Sequence, residues 1–146
     1  MNKNLDLYQL GRAQLLTFLY IYNLPFFSLI MPTTKEIGDY FETKAKDYYI
    51  ENGYEFLNKN YRFGHREIDL ILKKDNLLIF VEVKYRSSSL FGNPEDWVNE
   101  KKQILLEECA NNFIEEENWY GDIRFDIVAY LKRGVKIERQ VFTNAF

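Results

Sequence analysis

Residues 67–85 read EIDLILKKDNLLIFVEVKY and decide the fold, because they predict a pair of adjacent strands. The apolar runs on either side of Lys74-Asp75-Asn76 have the length and composition of β-strands, and the three residues between them are typical of a turn. The second run, Leu77 to Tyr85, is apolar enough to be buried on both faces of a sheet. In the first run, the apolar residues that recur at every second position are expected on one face: Ile68, Leu70 and Leu72.

Charged residues interrupt both apolar runs in pairs. Glu67 and Asp69 are two positions apart in the first strand, and Glu82 and Lys84 are two positions apart in the second. Residues at this spacing share a face of the strand, and a hairpin puts Asp69 beside Glu82. Charged groups in buried strands are costly unless they are paired or bind something. The hairpin therefore predicts either a compact acidic site with one lysine or a set of plain cross-strand ion pairs.

The sequence on both sides of this hairpin predicts two helices and a sheet of five strands. Helical spacing of apolar residues, a proline at a first helical position and short turn segments indicate their limits. The expected elements are a helix from Lys35 to Asn52, strands from Glu55 to Arg62, Glu67 to Lys73 and Leu77 to Arg86, a helix from Asn93 to about Glu117, and strands from Ile123 to Leu131 and Val135 to Phe142. This α-β-β-β-α-β-β order predicts an α/β fold in which helices flank a mixed sheet.

The composition is that of one globular domain in a reducing compartment. The chain has 146 residues, of which 47% are apolar, and Gly and Pro are scarce, which excludes a disordered or collagen-like chain. A formal charge of −3 excludes a strongly basic protein, so any phosphate-binding surface is local. With a single cysteine and a single histidine, a disulfide within the chain is excluded and a zinc site lacks its usual ligands. A cytoplasmic location is expected.

Residues 1–32 are an apolar extension ahead of the domain expected over residues 33–146. Leu15 to Met31 carries no charge over its seventeen residues, which is near the lower length limit for a membrane-spanning helix. Either the extension is a membrane anchor, or translation of the native protein begins at Met31. The second reading is favoured, because Thr33 to Glu36 forms a capping box for the first helix. Membrane association is therefore not expected.

The acidic residues have the chemistry of a metal centre. The carboxylates of Asp69 and Glu82, with the backbone carbonyl of Val83, suit an oxygen-seeking cation such as Mg²⁺ or Mn²⁺. Glu42, at the border of the apolar face of the first helix, is an additional candidate ligand. Lys84 is then placed to orient a water molecule or to stabilise the charge that develops on a phosphodiester. The candidate catalytic residues are the three acids and this lysine.

Basic residues near the strand ends predict a local phosphate-binding surface. Lys102 falls near the centre of the apolar face of the second helix, so its side chain either points toward the sheet or extends along the helix surface to water. The predicted nucleic-acid contacts are Arg62, Arg66, Arg86 and Lys102. In the fourth strand, Arg124 and Asp126 share the polar face and are interpreted as a supporting salt bridge.

Ordered motifs run through the chain after residue 35. They are Gly38-x-x-Phe41-Glu42-x-x-Ala45, Asn60-Tyr61-Arg62, Glu67-Ile68-Asp69-Leu70-Ile71, Phe80-Val81-Glu82-Val83-Lys84-x-Arg86, Val98-x-x-x-Lys102-Gln103, Arg124-Phe125-Asp126 and Ala145-Phe146. On these motifs the chain resembles the YraN-like family, an uncharacterised group related to Holliday-junction resolvases. The resemblance implies a restriction-endonuclease-like three-layer core with a PD-(D/E)xK site. Its nuclease positions are matched by Glu42, Asp69, Glu82 and Lys84.

Three functions follow as hypotheses. The acidic cluster and the resemblance favour a Mg²⁺- or Mn²⁺-dependent endonuclease acting on structured or branched DNA, and a substrate with two-fold symmetry favours a homodimer. The same fold without catalysis would be a nucleic-acid-binding module, whose binding falls steeply with added salt. A membrane-tethered interaction protein that uses Leu15 to Met31 as its anchor is the third hypothesis.

Overall fold

The computed structural model describes residues 32–86 and 98–146, which contain two helices and five strands. In chain order these are helix α1 (Thr34–Glu51), strands β1 (Glu55–Phe63), β2 (Arg66–Lys74) and β3 (Leu77–Arg86), helix α2 (Glu100–Glu116), and strands β4 (Asp122–Arg133) and β5 (Lys136–Phe142). The chain divides into two units, Met1–Lys35 and Glu36–Phe146, and the second holds all these elements except the first two residues of α1. The predicted α-β-β-β-α-β-β order is confirmed.

The five strands form a sheet in the order β1-β2-β3-β4-β5. β1, β2 and β3 are successive antiparallel neighbours, as expected for strands joined by short turns. β3 and β4 are parallel from Leu77↔Asp122 to Arg86↔Leu131. Such a pair requires a crossover connection, and α2 lies in that connection. β5 returns antiparallel to β4, so the predicted mixed sheet is confirmed.

Buried residues pack in two layers, one on each face of the sheet. Between the sheet and α1, the helix contributes Phe41 and Tyr49 to the core. Between the sheet and α2, the helix contributes Leu106 and Phe113. The apolar faces of both helices are thereby removed from water. The result is an α/β fold of three layers, consistent with a restriction-endonuclease-like core.

Helix α2 begins later than the sequence predicts. Asn99 is its N-cap, with an extended backbone (φ −71°, ψ 163°), and the Asn99 side chain accepts a hydrogen bond from the Lys102 backbone N–H at 3.0 Å. The helix therefore starts at Glu100, while the predicted cap at Asn93 lies outside the described residues. Asn is a good N-cap at either position, so the residue type alone does not choose between them. The other predicted limits agree to within two residues.

The pairing of β2 with β3 stops before the end of either strand. It ends at Leu70↔Val81, and continued by one position it would set Asp69 opposite Glu82. From that position on, β2 pairs with β1 and β3 pairs with β4. The two strands therefore separate at the level of these two acids.

The alternation of side chains in β2 breaks at the same place. Leu70 and Leu72 pack in the core against α1, whereas Ile68 packs in the core against α2. The expectation that the three residues share one face is therefore wrong for Ile68. Asn60, which lies in β1 between the residues paired with Ile68 and Leu70, has a left-handed backbone with φ of 55°. A residue in this conformation redirects its strand locally, and it stands opposite the break.

Among residues 32–86 and 98–146, no helix is long and apolar enough to cross a membrane. The stretch Leu15 to Met31, on which the anchor hypothesis rests, lies outside the described residues. The function of the extension therefore stays a prediction.

A buried charged network joins α1, β4 and the segment after β5. Asp126 accepts hydrogen bonds from the Tyr49 hydroxyl at 2.8 Å and from the Asn144 backbone N–H at 3.1 Å. Arg124 donates two more to the same carboxylate, from Nε and Nη2, each at 2.8 Å. Burial, and then the Asp126 charge, raise the pKa of the Tyr49 hydroxyl. The predicted salt bridge between Arg124 and Asp126 is confirmed.

Asp126→Ala is expected to destabilise the protein by about 3 kcal/mol, because it leaves Arg124 and the Asn144 N–H without their partner. Tyr49→Phe removes a single hydrogen bond and should cost about 1 kcal/mol. Urea unfolding followed by tryptophan fluorescence measures both. Asp47→Ala on the exposed side of α1 is the control and should stay within about 0.5 kcal/mol of the parent protein. Equal losses for the Asp126 and Asp47 variants would contradict a stabilising function of the network.

Candidate functional site

The separation of β2 from β3 gives Asp69 a backbone partner. The Val83 N–H donates a hydrogen bond to Asp69 Oδ2 at 2.7 Å. In a continuous antiparallel ladder, an N–H group that points at the neighbouring strand would donate to a backbone carbonyl there. The side chain of Asp69 takes that position instead, and this bond fixes it at the point where the strands part.

Asp69 lies in a buried, acidic environment that disfavours its charged form. Burial, and after it the charge of Glu82, raises the pKa of Asp69 from 3.8 to about 7. The hydrogen bond from Val83 and the charge of Lys84 work in the opposite direction, while Glu42 adds to the increase. The carboxylate is therefore held among like charges with too little positive charge beside it.

Glu82 is the buried carboxylate of β3 and is only 5% exposed. Its Oε1 accepts a hydrogen bond from Lys84 Nζ and lies 3.3 Å from Lys102 Nζ. Its Oε2 is buried and makes no hydrogen bond within the described residues. An interior carboxylate oxygen without a partner is costly. Glu82 therefore keeps one acceptor for a ligand.

Glu42 approaches the acidic pair from α1, but a lysine holds it. Lys59 Nζ lies 3.0 Å from Glu42 Oε2 and 3.5 Å from Asp39 Oδ1. The first contact is an ion pair without the geometry of a hydrogen bond. Burial acts to lower the pKa of Lys59, but its contacts with Glu42 and Asp39 outweigh burial and raise the pKa. Sequence reasoning missed Lys59, because its partner depends on how α1 packs on the sheet.

The predicted nucleic-acid contacts are mostly engaged by acids. Arg62 pairs with Glu67, and Arg66 pairs with Glu108 on α2. Lys102 faces Glu82, as described above, so of its two predicted directions the side chain takes the one toward the sheet. Arg86 differs, since it donates to the Tyr85 carbonyl at 3.3 Å and forms no ion pair with a described residue. A phosphate would have to compete with carboxylates at three of the four positions.

The donor set suits a hard divalent cation. Asp69, Glu82 and the Val83 carbonyl supply the oxygen donors that Mg²⁺ and Mn²⁺ prefer. The fit is supported by the free Oε2 of Glu82 and by the uncompensated charge at Asp69. Within the part of the chain that the structure describes, no group of three or more His, Cys, Asp or Glu side chains has metal-binding geometry. A cation that binds Glu42 Oε2 would have to compete with Lys59.

Asp69→Asn is expected to stabilise the metal-free protein at high pH. With its pKa raised to about 7, the folded Asp69 keeps a proton between about pH 4 and pH 7 that the unfolded chain has lost, so stability falls as pH rises through that window. Because asparagine does not titrate, the stability of the variant does not fall in this way. In EDTA the variant should match the parent protein near pH 4 and exceed it by on the order of 4 kcal/mol at pH 8.

Urea unfolding across this pH range is the measurement. Asp75→Asn, the same chemical change in the exposed turn between β2 and β3, should follow the parent protein at every pH. A stability difference for Asp69→Asn that does not vary with pH would contradict the burial of charge at Asp69.

Comparison with known proteins places the domain in a family. Residues 41–130 match the model of the uncharacterised protein family UPF0102. The chain is 44% identical over 88 residues to the UPF0102 protein of Cytophaga hutchinsonii (60% of this chain, 78% of the relative). It is 41% identical over 110 residues to that of Christiangramia forsetii (74% and 92%), and 46% identical over 93 residues to that of a Sulfurihydrogenibium species (63% and 81%).

The matched span runs from α1 into β4 and so contains the whole candidate site. It holds the acids at positions 42, 69 and 82, the lysine at position 84, and most of the helix and the strands that carry them. The match covers more than half of the chain, and the Christiangramia forsetii relative aligns over 92% of its own length. The chain therefore belongs to the uncharacterised protein family UPF0102, the YraN-like family that its motifs indicate.

Proposed function

We propose that the protein is a divalent-metal-dependent endonuclease with a PD-(D/E)xK-type site. The observation that carries the proposal is the position of Asp69 next to Glu82 where β2 and β3 separate, with Lys84 bonded to Glu82. The motif resemblance supports it, because the same residues match the nuclease positions. Buried, like-charged carboxylates with a perturbed pKa are typical of functional sites.

Each residue of the site has a separate task in phosphodiester hydrolysis. Asp69, Glu82 and the Val83 carbonyl would hold Mg²⁺ or Mn²⁺, which would act as a Lewis acid and lower the pKa of the attacking water. Lys84, with a side chain 22% exposed, donates to the attacking water or to a phosphate oxygen. The Val83 N–H fixes Asp69, so the carboxylate needs little reorganisation during the reaction.

The proposed substrate is structured or branched DNA, and the proposed setting is the cytoplasm. The relation to Holliday-junction resolvases in the resemblance favours this substrate class, and a junction with two-fold symmetry favours a homodimer. Arg86, at the end of β3 beyond Lys84, is the first contact expected for the DNA backbone, since it has no described carboxylate partner. Arg62 and Arg66 would first have to exchange an acid for a phosphate.

A nucleic-acid-binding module without catalysis is the second candidate. One observation favours it: two acids of the site already have lysine partners, Glu42 with Lys59 and Glu82 with Lys84. A site whose charges are largely balanced from within does not need a metal ion for stability. Such a module would bind DNA equally in Mg²⁺ and in EDTA, with a steep dependence on salt.

Incubation of the full-length protein with labelled branched, flapped and linear DNA tests the proposal. Cleavage is expected in Mg²⁺ or Mn²⁺ and not in EDTA. Lys84→Ala should lower the cleavage rate by about 100-fold or more, because it removes the group that donates to the reacting water or phosphate. Lys136→Ala removes the same charge on β5, which β4 separates from β3, and should leave the rate unchanged.

Asp69→Ala is the companion variant and should abolish cleavage while circular dichroism shows an intact fold. An active Asp69→Ala protein would refute the assignment of the site. Tight, metal-independent binding with no product from any substrate would reject the nuclease and favour the binding module.

A further inference from the structure

Lys102 is a second cation on Glu82, contributed by a different element. It lies in the first turn of α2, where the Asn99 cap fixes its backbone N–H at 3.0 Å. Its ammonium lies 3.3 Å from Glu82 Oε1, the oxygen that Lys84 also contacts. Two lysines therefore share one carboxylate oxygen, while the other oxygen has no hydrogen bond to a described residue.

The charges of the site nearly balance without a metal ion. Four acids, Asp39, Glu42, Asp69 and Glu82, lie among three lysines, at positions 59, 84 and 102. A divalent cation that enters this group turns a single negative charge into a single surplus positive charge in a partly buried space, which is unfavourable at low dielectric. The repulsion falls if one lysine moves out to solvent.

Lys102 is the lysine that can leave most easily. Its side chain is 39% exposed, against 29% for Lys59 and 22% for Lys84. Lys59 contacts two acids, and Lys84 is attached to the same strand as its partner. Lys102 has a single ion pair, at 3.3 Å from Glu82 Oε1, and Lys84 still contacts that oxygen after Lys102 leaves. Its flexible side chain reaches solvent while the capped backbone stays in place.

We propose that Lys102 is the resident counter-cation of Glu82, that a divalent metal displaces it, and that the released ammonium binds a phosphate of the nucleic acid. This inference rests on the metal site of the proposed function. It makes metal and substrate cooperative: metal frees the ammonium for phosphate, and by linkage the bound substrate strengthens metal binding by the same factor.

Calorimetric titration of the full-length protein with Mn²⁺ alone tests the displacement. Lys102→Gln is expected to bind Mn²⁺ about 5-fold more tightly than the parent protein, since no ammonium competes for Glu82. Lys102→Arg retains the charge and should bind close to the parent affinity. Lys101→Gln is the matched control: Lys101 is exposed on the same turn of α2, and its loss should leave the affinity unchanged. Melting curves verify that all three variants fold.

The outcomes separate this inference from the proposed function. Equal or weaker Mn²⁺ binding by Lys102→Gln, beside clear binding by the parent protein, overturns the displacement and leaves the metal site standing. Equal gains for Lys101→Gln and Lys102→Gln also overturn it, because a general change in surface charge then suffices. Absence of Mn²⁺ binding in the parent protein and in Lys102→Gln removes the metal site itself, and with it both proposals.

Discussion

The end of the β2–β3 ladder at Leu70↔Val81 is the constraint on which the candidate site depends. If the two strands stayed paired, the Val83 N–H would donate to a backbone carbonyl of β2, and the Asp69 side chain would have no backbone partner there. Because they separate, that N–H binds the Asp69 carboxylate. The same separation sends Ile68 into the core against α2 while Leu70 stays in the core against α1. Asp69 thus lies between the two layers, and acids on both sides of the sheet, Glu42 and Glu82, raise its pKa.

The electrostatics of the site follow from that position. Glu42 on α1 pairs with Lys59, and Glu82 on β3 pairs with Lys102 of α2. Each of these two acids therefore has a lysine on its own face of the sheet. Asp69, between them, has the Val83 N–H and no lysine in contact within the described residues. Burial and the neighbouring acids then raise its pKa. The buried apolar strands around Asp69 offset this local cost in stability. A buried acid with a raised pKa is typical of functional sites rather than of stabilising ion pairs.

Local sequence patterns were sufficient to predict the strands and part of the candidate site, and the features that they missed have a physical reason. Period-two alternation and turn residues predicted the strands, and the hairpin that they define put Asp69 near Glu82. The prediction that Ile68 shares a face with Leu70 and Leu72 was wrong. The break in alternation lies opposite the left-handed backbone of Asn60 in the neighbouring strand, which local alternation does not reveal. Lys59 was missed for a similar reason, since only the packing of α1 brings Glu42 to it. Both depend on contacts between segments distant in sequence, which alternation does not encode.

Two charged pairs with the same spacing show what the structure adds. Arg124-x-Asp126 in β4 and Glu82-x-Lys84 in β3 both place an acid and a base two residues apart in an apolar strand. Asp126 accepts four hydrogen bonds, so its buried charge is fully compensated and holds elements together. Glu82 leaves Oε2 without a described partner while two lysines crowd Oε1. Since buried polar groups are nearly always satisfied in native proteins, the unsatisfied pair is the better candidate for a ligand site, and sequence spacing alone could not have separated the two.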